Sequence, residues 1–241
     1  MANILLILLL LRLPSIAVPD QQEQLRFEQA TFLMQQQKYS KAVAAFEVLE
    51  QEGVQTPELY MNLGHACFQA GQLGKAIFYT EKAFRLSPLD EEIQQNRQYL
   101  AEQAGIARTP DNYWLLKVSD QVMQLALLLF VLCSLCFLCR RLNIFYMEKL
   151  VRFHRFILSA AIFLLMPALL TQVYMQPEED AVLLQQTAGK NGPSPLAKSI
   201  ADLNEGEKVT LKSYHQGWYK VKTPEGKTAW VSEAGIGKLN L

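Results

Sequence analysis

Two apolar stretches, Gln121 to Cys139 and Phe156 to Val173, flank a basic loop that carries Arg140, Arg141, Lys149, Arg152 and Arg155 against a single acid, Glu148. At about 1.5 Å per helical residue, either stretch roughly spans the ~30 Å hydrocarbon layer of a bilayer, and neither contains a charged side chain. The pair predicts transmembrane helices over 119–140 and 156–175, joined by a cytoplasmic loop over 140–155, because short loops rich in Lys and Arg stay inside. Both flanking regions then face the opposite compartment. Tyr113, Trp114 and Tyr174 fall at the outer ends of the helices, where an aromatic belt belongs.

The N-terminus gives a second line on location. Ile4 to Leu11 is an unbroken apolar run, Pro14 breaks it, and Ser15 and Ala17 put small side chains where signal peptidase needs them. Residues 1–17 read as a signal peptide cleaved after Ala17, with an uncleaved short anchor as the alternative. On either reading the chain is expected in the inner (cytoplasmic) membrane as a multi-pass protein, with its soluble parts on the periplasmic, extracytoplasmic side.

Charge separates those soluble parts. The 23 basic and 23 acidic residues of the whole chain cancel, which argues against a nucleic-acid partner. Asp20 to Arg108 holds 12 acids and 8 bases, net −4, and Val182 to Leu241 holds 5 acids and 8 bases, net +3. Any attraction between the two regions is expected to be minor once solvent screens it.

Between the signal and the first apolar stretch the chain repeats with a period of 34: Lys41, Ala42 and Val43 match Lys75, Ala76 and Ile77, and Tyr39 matches Leu73. Two amphipathic helices per 34 residues are the tetratricopeptide signature. The second copy is the better one, with Tyr60, Leu63, Gly64, Cys67, Gly71, Ala76, Ala83 and Pro88 at the small and apolar positions. The first is degenerate, with Ala30 in place of Gly64 and Val54 in place of Pro88. We expect a domain over 20–105, comprising repeats at about 23–56 and 57–90 and a capping helix built on Ile93, Tyr99 and Leu100, since each repeat needs a neighbour to cover its apolar face. The five helices should run from 20 to 36, 39 to 52, 57 to 70, 73 to 86 and 89 to 105.

Helical spacing places Phe27, Thr31, Met34 and Gln35 from the first copy, and Asn62, His65, Phe68 and Gln69 from the second, along the concave face of such an array. A partner's peptide or helix would be held there by amide hydrogen bonds and aromatic grip. For each residue alone, core packing for Phe27, Met34 and Phe68 and a solvated surface for His65 are the stronger readings. For the face as a whole, binding is, because repeat arrays expose it.

After Tyr174 the period changes from 3.6 to short alternating runs. Candidate strands are 181–185, 208–213, 217–222 and 227–231, with turns at Asn191 to Pro193, Asn204 to Gly206, His215 to Gln216 and Pro224 to Gly226. Several short strands within 181–241 suggest a small closed barrel. The run Leu203-Asn-Glu-Gly206-Glu-Lys-Val209-Thr-Leu211, followed by Gly217-Trp218-Tyr219-Lys-Val221 and Gly226-Lys-Thr-Ala229-Trp230-Val231, resembles a bacterial SH3 domain. Ala229 stands where that family has Gly before Trp. Tyr214, Trp218 and Tyr219 are the candidate ligand-binding aromatics, for a peptide or a cell-wall glycopeptide, whereas Trp230 and Val221 read as core.

The fold class expected is a multidomain membrane protein: an all-α tetratricopeptide superhelix, a two-helix transmembrane hairpin and a small all-β SH3-like barrel. That order of parts is similar to the BatE-type proteins of the bacterial aerotolerance (Bat) operon. The resemblance implies protein partners in the envelope, among them von Willebrand factor A-type membrane proteins and an associated MoxR-type ATPase. A peptidoglycan-binding or wall-sensing protein acting through the SH3-like domain is the alternative. No enzyme is expected. His65, His154 and His215 lie in three different regions, with no phosphate loop, nucleophile elbow or metal-ligand set, so neither cofactor nor metal is predicted. Cys133, Cys136 and Cys139 have C-x-x-C-x-x-C spacing, but on a helix the three thiols fan over about 120° and read as packing or lipid contact.

Overall fold

Helix boundaries in the N-terminal half are written in the local sequence. Thr56 accepts a hydrogen bond from Leu59 N–H at 3.1 Å, ahead of Pro57 at the first helical position. Asp90 accepts from the N–H groups of Glu92 and Ile93, and Gly105 closes the last helix in the left-handed conformation. In the computed structural model, which describes residues 21–106, 118, 119, 121–129, 131, 163, 166, 167, 170 and 179–239, five helices follow from these signals. They are α1 (Gln21–Gln35), α2 (Tyr39–Gln51), α3 (Pro57–Gln69), α4 (Leu73–Leu86) and α5 (Glu91–Ala104). Apolar residues recur at helical spacing on α2 (Ala42, Val43, Phe46, Leu49) and α3 (Leu59, Tyr60, Leu63, Ala66, Cys67), and all are buried in one core. Gly64 lets α3 and α4 approach, since a Cβ there would lie 2.6 Å from Thr80 Oγ1.

Helix α4 differs from its neighbours. It buries Gly74, Ala76, Ile77, Tyr79, Thr80, Glu81, Lys82, Ala83 and Phe84, residues that point to every side. A helix covered all round needs a packing layer on each flank. The helical layer covers one flank. The second layer comes from the C-terminal half of the chain.

That half is an antiparallel sheet of seven strands: β1 (Asp180–Leu183), β2 (Thr187–Lys190), β3 (Ser199–Leu203), β4 (Lys208–His215), β5 (Trp218–Lys222), β6 (Thr228–Ser232) and β7 (Ile236–Lys238), in the order β3-β2-β6-β5-β4-β1-β7. Alternation supplies its inner face, with Val209, Leu211, Val221, Ala229 and Val231 buried and the residues between them turned outward. Strand β1 is buried on both faces. Ala181 and Leu183 enter the sheet's core, while Val182 joins the helices' core together with Leu239.

Two parts of the expected fold class are corrected. The sheet is open: β3 and β7 are its two edges and do not pair. The β7 end is taken up by α4, where Gly237 sits so close to Phe78 that a Cβ would lie 2.6 Å from its ring, and Arg85 donates to the Leu239 carbonyl at 3.0 Å. The second correction concerns the transmembrane hairpin. Among the described residues no helix is long and apolar enough to cross a membrane. Residues 1–20, the basic loop 140–155 and most of both apolar stretches, with Cys133, Cys136 and Cys139, lie outside the described residues. Strands β2, β3 and β7 were not foreseen. Thr187-Ala-Gly-Lys190 and Ser199-Ile-Ala-Asp-Leu203 lack the clean apolar alternation that marks β4 and β6.

The sheet docks on α4 through close packing and paired charge. Gly74 N–H donates to Glu205 Oε1 at 2.7 Å, a carboxylate at the positive end of the helix. Arg85 Nη2 reaches Asp180 Oδ2 at 3.1 Å at the other end. Between them, Lys208 of β4 lies 3.6 Å from Asp180 and 4.0 Å from Glu81, and Glu81 receives both Nε and Nη2 of Arg97 at 2.7 and 3.1 Å. The Arg97 guanidinium also lies over the Phe84 ring at 3.7 Å. The charges alternate in sign along this line, and every member is buried or half-buried.

Docking sets the sign of one substitution. Gly74→Ala in an isolated helix is favourable by up to ~1 kcal/mol on propensity. Here the added Cβ would stand 2.5 Å from the Leu184 carbonyl oxygen. We expect Gly74→Ala to destabilise the chain by about 1–3 kcal/mol, the range for overpacking, in urea unfolding followed by circular dichroism; a gain in stability would show that the sheet does not pack there.

Candidate functional site

Asn62, His65, Phe68 and Gln69 recur at three- and four-residue intervals on α3 and therefore share one face. Opposite them α5 presents Glu92, Asn96 and Tyr99 at the same kind of spacing. The two faces form the walls of a groove of about 280 Å³, floored by Met61, Gly64, Thr80 and Leu100. Phe68 and Tyr99 meet edge to face at one end, with centroids 5.5 Å apart. Asn62 donates to the Glu58 carbonyl at 3.0 Å, and Gln69 lies 3.4 Å from His65 Nε2, so the groove's amides and imidazole are oriented by their own helix.

The electrostatics of these walls have one sign. Helix α3 carries Glu58 and no basic residue, and α5 carries Glu91, Glu92 and Glu102, with Arg97 as its only cation. Arg97 is turned away from solvent onto Glu81. The groove combines an aromatic end, neutral amides and an acidic rim.

The four residues expected from the first copy do not share this site. Phe27 packs edge to face on Phe46 at 5.4 Å, and Met34 packs against the core. Thr31 and Gln35 turn instead to a shallow outer face of α1 with Leu25, Glu28 and Phe32. As the first helix among the described residues, α1 uses one side for α2, and its 3.6-residue period divides the four residues between core and solvent. Tyr99 was expected to cover the core, yet it is 48 % exposed, and the burial falls to Ile93, Arg97 and Leu100. Glu92, Asn96 and Tyr99 were legible as a helical face, but which neighbour that face meets depends on the angle at which α5 crosses α3.

In the sheet, Tyr214 and Tyr219 are cross-strand partners with ring centroids 4.7 Å apart. Lys238 Nζ lies 4.7 Å above the Tyr219 ring, and Glu233 joins the set by bonding Lys238 at 3.1 Å and Tyr214 Oη at 3.2 Å. The Tyr219 hydroxyl, and then Glu233, hold the Lys238 ammonium above the ordinary lysine range. Trp218 is elsewhere. Its cross-strand partners are Ser232 and His215, on the face opposite Tyr219. Val221 lies in the core as expected, whereas Trp230 is only half-buried and shares the outward face with Trp218. The buried Ala229 and Val231 on either side of Trp230 carried that signal, since alternation turns the residue between them outward.

Cys67 is fully buried in α3, and burial pushes its thiol up from 9.0 to about 12. Among the described residues no three His, Cys, Asp or Glu side chains are grouped to hold a metal. Comparison with known proteins gives two partial matches: the tetratricopeptide repeat family over residues 57–90 and the bacterial SH3 domain family over residues 190–236. The chain carries both modules. Neither the curated proteins nor the solved structures contain a match to it.

The raised thiol pKa has a definite sign in stability. Between pH 9 and about 12 the folded chain keeps a proton on Cys67 that the unfolded chain gives up, so this contribution to stability falls as pH rises through that window. We expect Cys67 to resist iodoacetamide at pH 8 in the folded chain and to be labelled on unfolding in urea, as read by mass spectrometry of the peptide containing it.

Proposed function

We propose that this chain is a non-catalytic scaffold that receives a segment of a partner protein in the groove between α3 and α5. The observation that carries this reading is the convergence of Asn62, His65, Phe68 and Gln69 with Glu92, Asn96 and Tyr99 on one cavity of about 280 Å³. Amides and His65 suit the backbone of a bound segment, and the Phe68–Tyr99 pair suits an apolar side chain. With Glu92 lining the groove and Glu58, Glu91 and Glu102 elsewhere on the same two helices, a segment bearing Lys or Arg is favoured over one bearing a carboxylate.

The bacterial SH3 module supports a second reading, attachment to the cell wall, for which the half-exposed Tyr214, its ring tilted against that of Tyr219, is the favouring observation. The order of modules, similar to that of BatE-type proteins, is what supports a role beside von Willebrand factor A-type partners in a Bat aerotolerance complex. The leader-like run Ile4 to Leu11 with Ala17 favours the extracytoplasmic side of the envelope.

Peptide display panned against the purified chain tests the groove. We expect enrichment of peptides that combine Lys or Arg with an aromatic or aliphatic residue. Phe68→Ala and Glu92→Lys should each weaken the selected peptides about tenfold, as for a central interface residue, with binding falling at higher salt. Selected peptides that bind both variants as tightly as the parent chain would refute the groove. Retention on purified murein that is lost in Tyr214→Ala would favour the wall reading.

A further inference from the structure

The outward face of strands β4, β5 and β6 lies opposite the sheet's core and carries Trp218, Lys220, Lys222 and Trp230, with His215 beside Trp218. Lys190 of β2 pairs with Trp230, and its Nζ lies 5.6 Å from the Trp218 ring. The same ammonium donates to the Pro195 carbonyl, which ties the tip of the β2–β3 hairpin to this face. The tip itself presents Leu196, 96 % exposed, followed by the exposed Lys198 and by Ile200 at 52 %. Of the acids in this half, Asp202 lies on edge strand β3 and Glu225 is paired with Lys227 at 2.7 Å.

Four lysines, two outward tryptophans and a protruding leucine have no counterpart on the acidic helical half. Tryptophan is favoured at the headgroup level of a bilayer, where its ring is apolar on one side and its N–H meets water. Lysines beside it are drawn to anionic headgroups. A leucine almost wholly in water at a hairpin tip gains by entering the acyl boundary. We propose that this face is a peripheral docking surface for a membrane of anionic phospholipid, with Leu196 inserted at the acyl boundary, Trp218 and Trp230 at the headgroup level, and Lys190, Lys198, Lys220 and Lys222 against the phosphates. Charge complementarity selects this occupant: the SH3 half is net +3 between Val182 and Leu241, and the helical half, net −4, would be held off the same surface.

Co-sedimentation of the purified full chain with phosphatidylcholine vesicles, with and without phosphatidylglycerol, tests the assignment. Removal of each lysine should weaken binding to the anionic vesicles about fivefold, so the double variant Lys220→Ala, Lys222→Ala loses roughly twenty-five-fold. Leu196→Ser should lose about tenfold. The lysine variant should leave binding to the neutral vesicles unchanged, whereas Leu196→Ser should weaken binding to both kinds of vesicle; all three positions are exposed, so thermal unfolding should match the parent chain. The proposal is overturned if the parent chain shows no preference for phosphatidylglycerol, if the lysine variant keeps that preference in full, or if Leu196→Ser binds vesicles as tightly as the parent chain. It is also overturned if the same substitutions abolish retention on purified murein and leave vesicle binding intact, which would assign the face to a glycan.

Discussion

Helix α4 is the element on which both halves of the molecule depend. An amphipathic helix buries one stripe and leaves the other to water; α4 buries both, one against α2, α3 and α5, the other against β1, β7 and the turn around Glu205. Its second flank is closed only when the sheet is in place. Val182 and Leu239 from the sheet then complete a core that otherwise belongs to the helices. The two modules, far apart in sequence, fold as partners with a shared interior. A carboxylate at the N-terminus of α4 and an arginine in its last turn, paired with Asp180, match the helix dipole at both ends.

The opposite net charges of the two halves suggested a weak, screened attraction. The tertiary structure concentrates that attraction in a half-buried seam, where solvent screens it less. Arg97, Glu81, Lys208, Asp180 and Arg85 form an alternating series from α5 across α4 to β4 and β1. In such a setting the loss of one partner leaves the others desolvated and uncompensated, at a cost of about 3–5 kcal/mol for a buried pair. The orientation of the halves is fixed by the contacts that cross between them: Arg85 donates to both Asp180 and the Leu239 carbonyl, and Lys208 reaches back to Glu81. Orientation matters to function here: the peptide groove and the basic sheet face are on different elements, and only the interface between the halves sets the angle between them.

The binding residues were partly legible. Asn62, His65, Phe68 and Gln69 follow from a well-formed repeat, in which Gly64 and Ala76 set the approach of α3 and α4 and so the direction in which α3 presents its free face. The degenerate first copy misled for the same reason: with Ala30 in place of Gly64 and no helix beyond α1 in the described array, Phe27 and Met34 are drawn into the core. In the sheet, residue type suggested a single aromatic set of Tyr214, Trp218 and Tyr219. Period-2 geometry divides it, since neighbours on a strand point to opposite faces, and Trp218 joins Trp230 instead.

The sequence by itself determined the local elements: five helices from a 34-residue period with Thr56, Pro57, Asp90 and Gly105 at their ends, and the strands whose alternation is strong. These depend on near neighbours, so a single chain of letters carries them. Only the tertiary structure decided that the sheet stays open and lays its β1–β7 end on α4, that Tyr99 turns to the groove, and that an arginine, a glutamate and a lysine are buried together. The docking of the sheet joins residues more than a hundred positions apart, such as Gly74 with Glu205 and Arg85 with Leu239, and no local pattern encodes which distant surface will cover an exposed one.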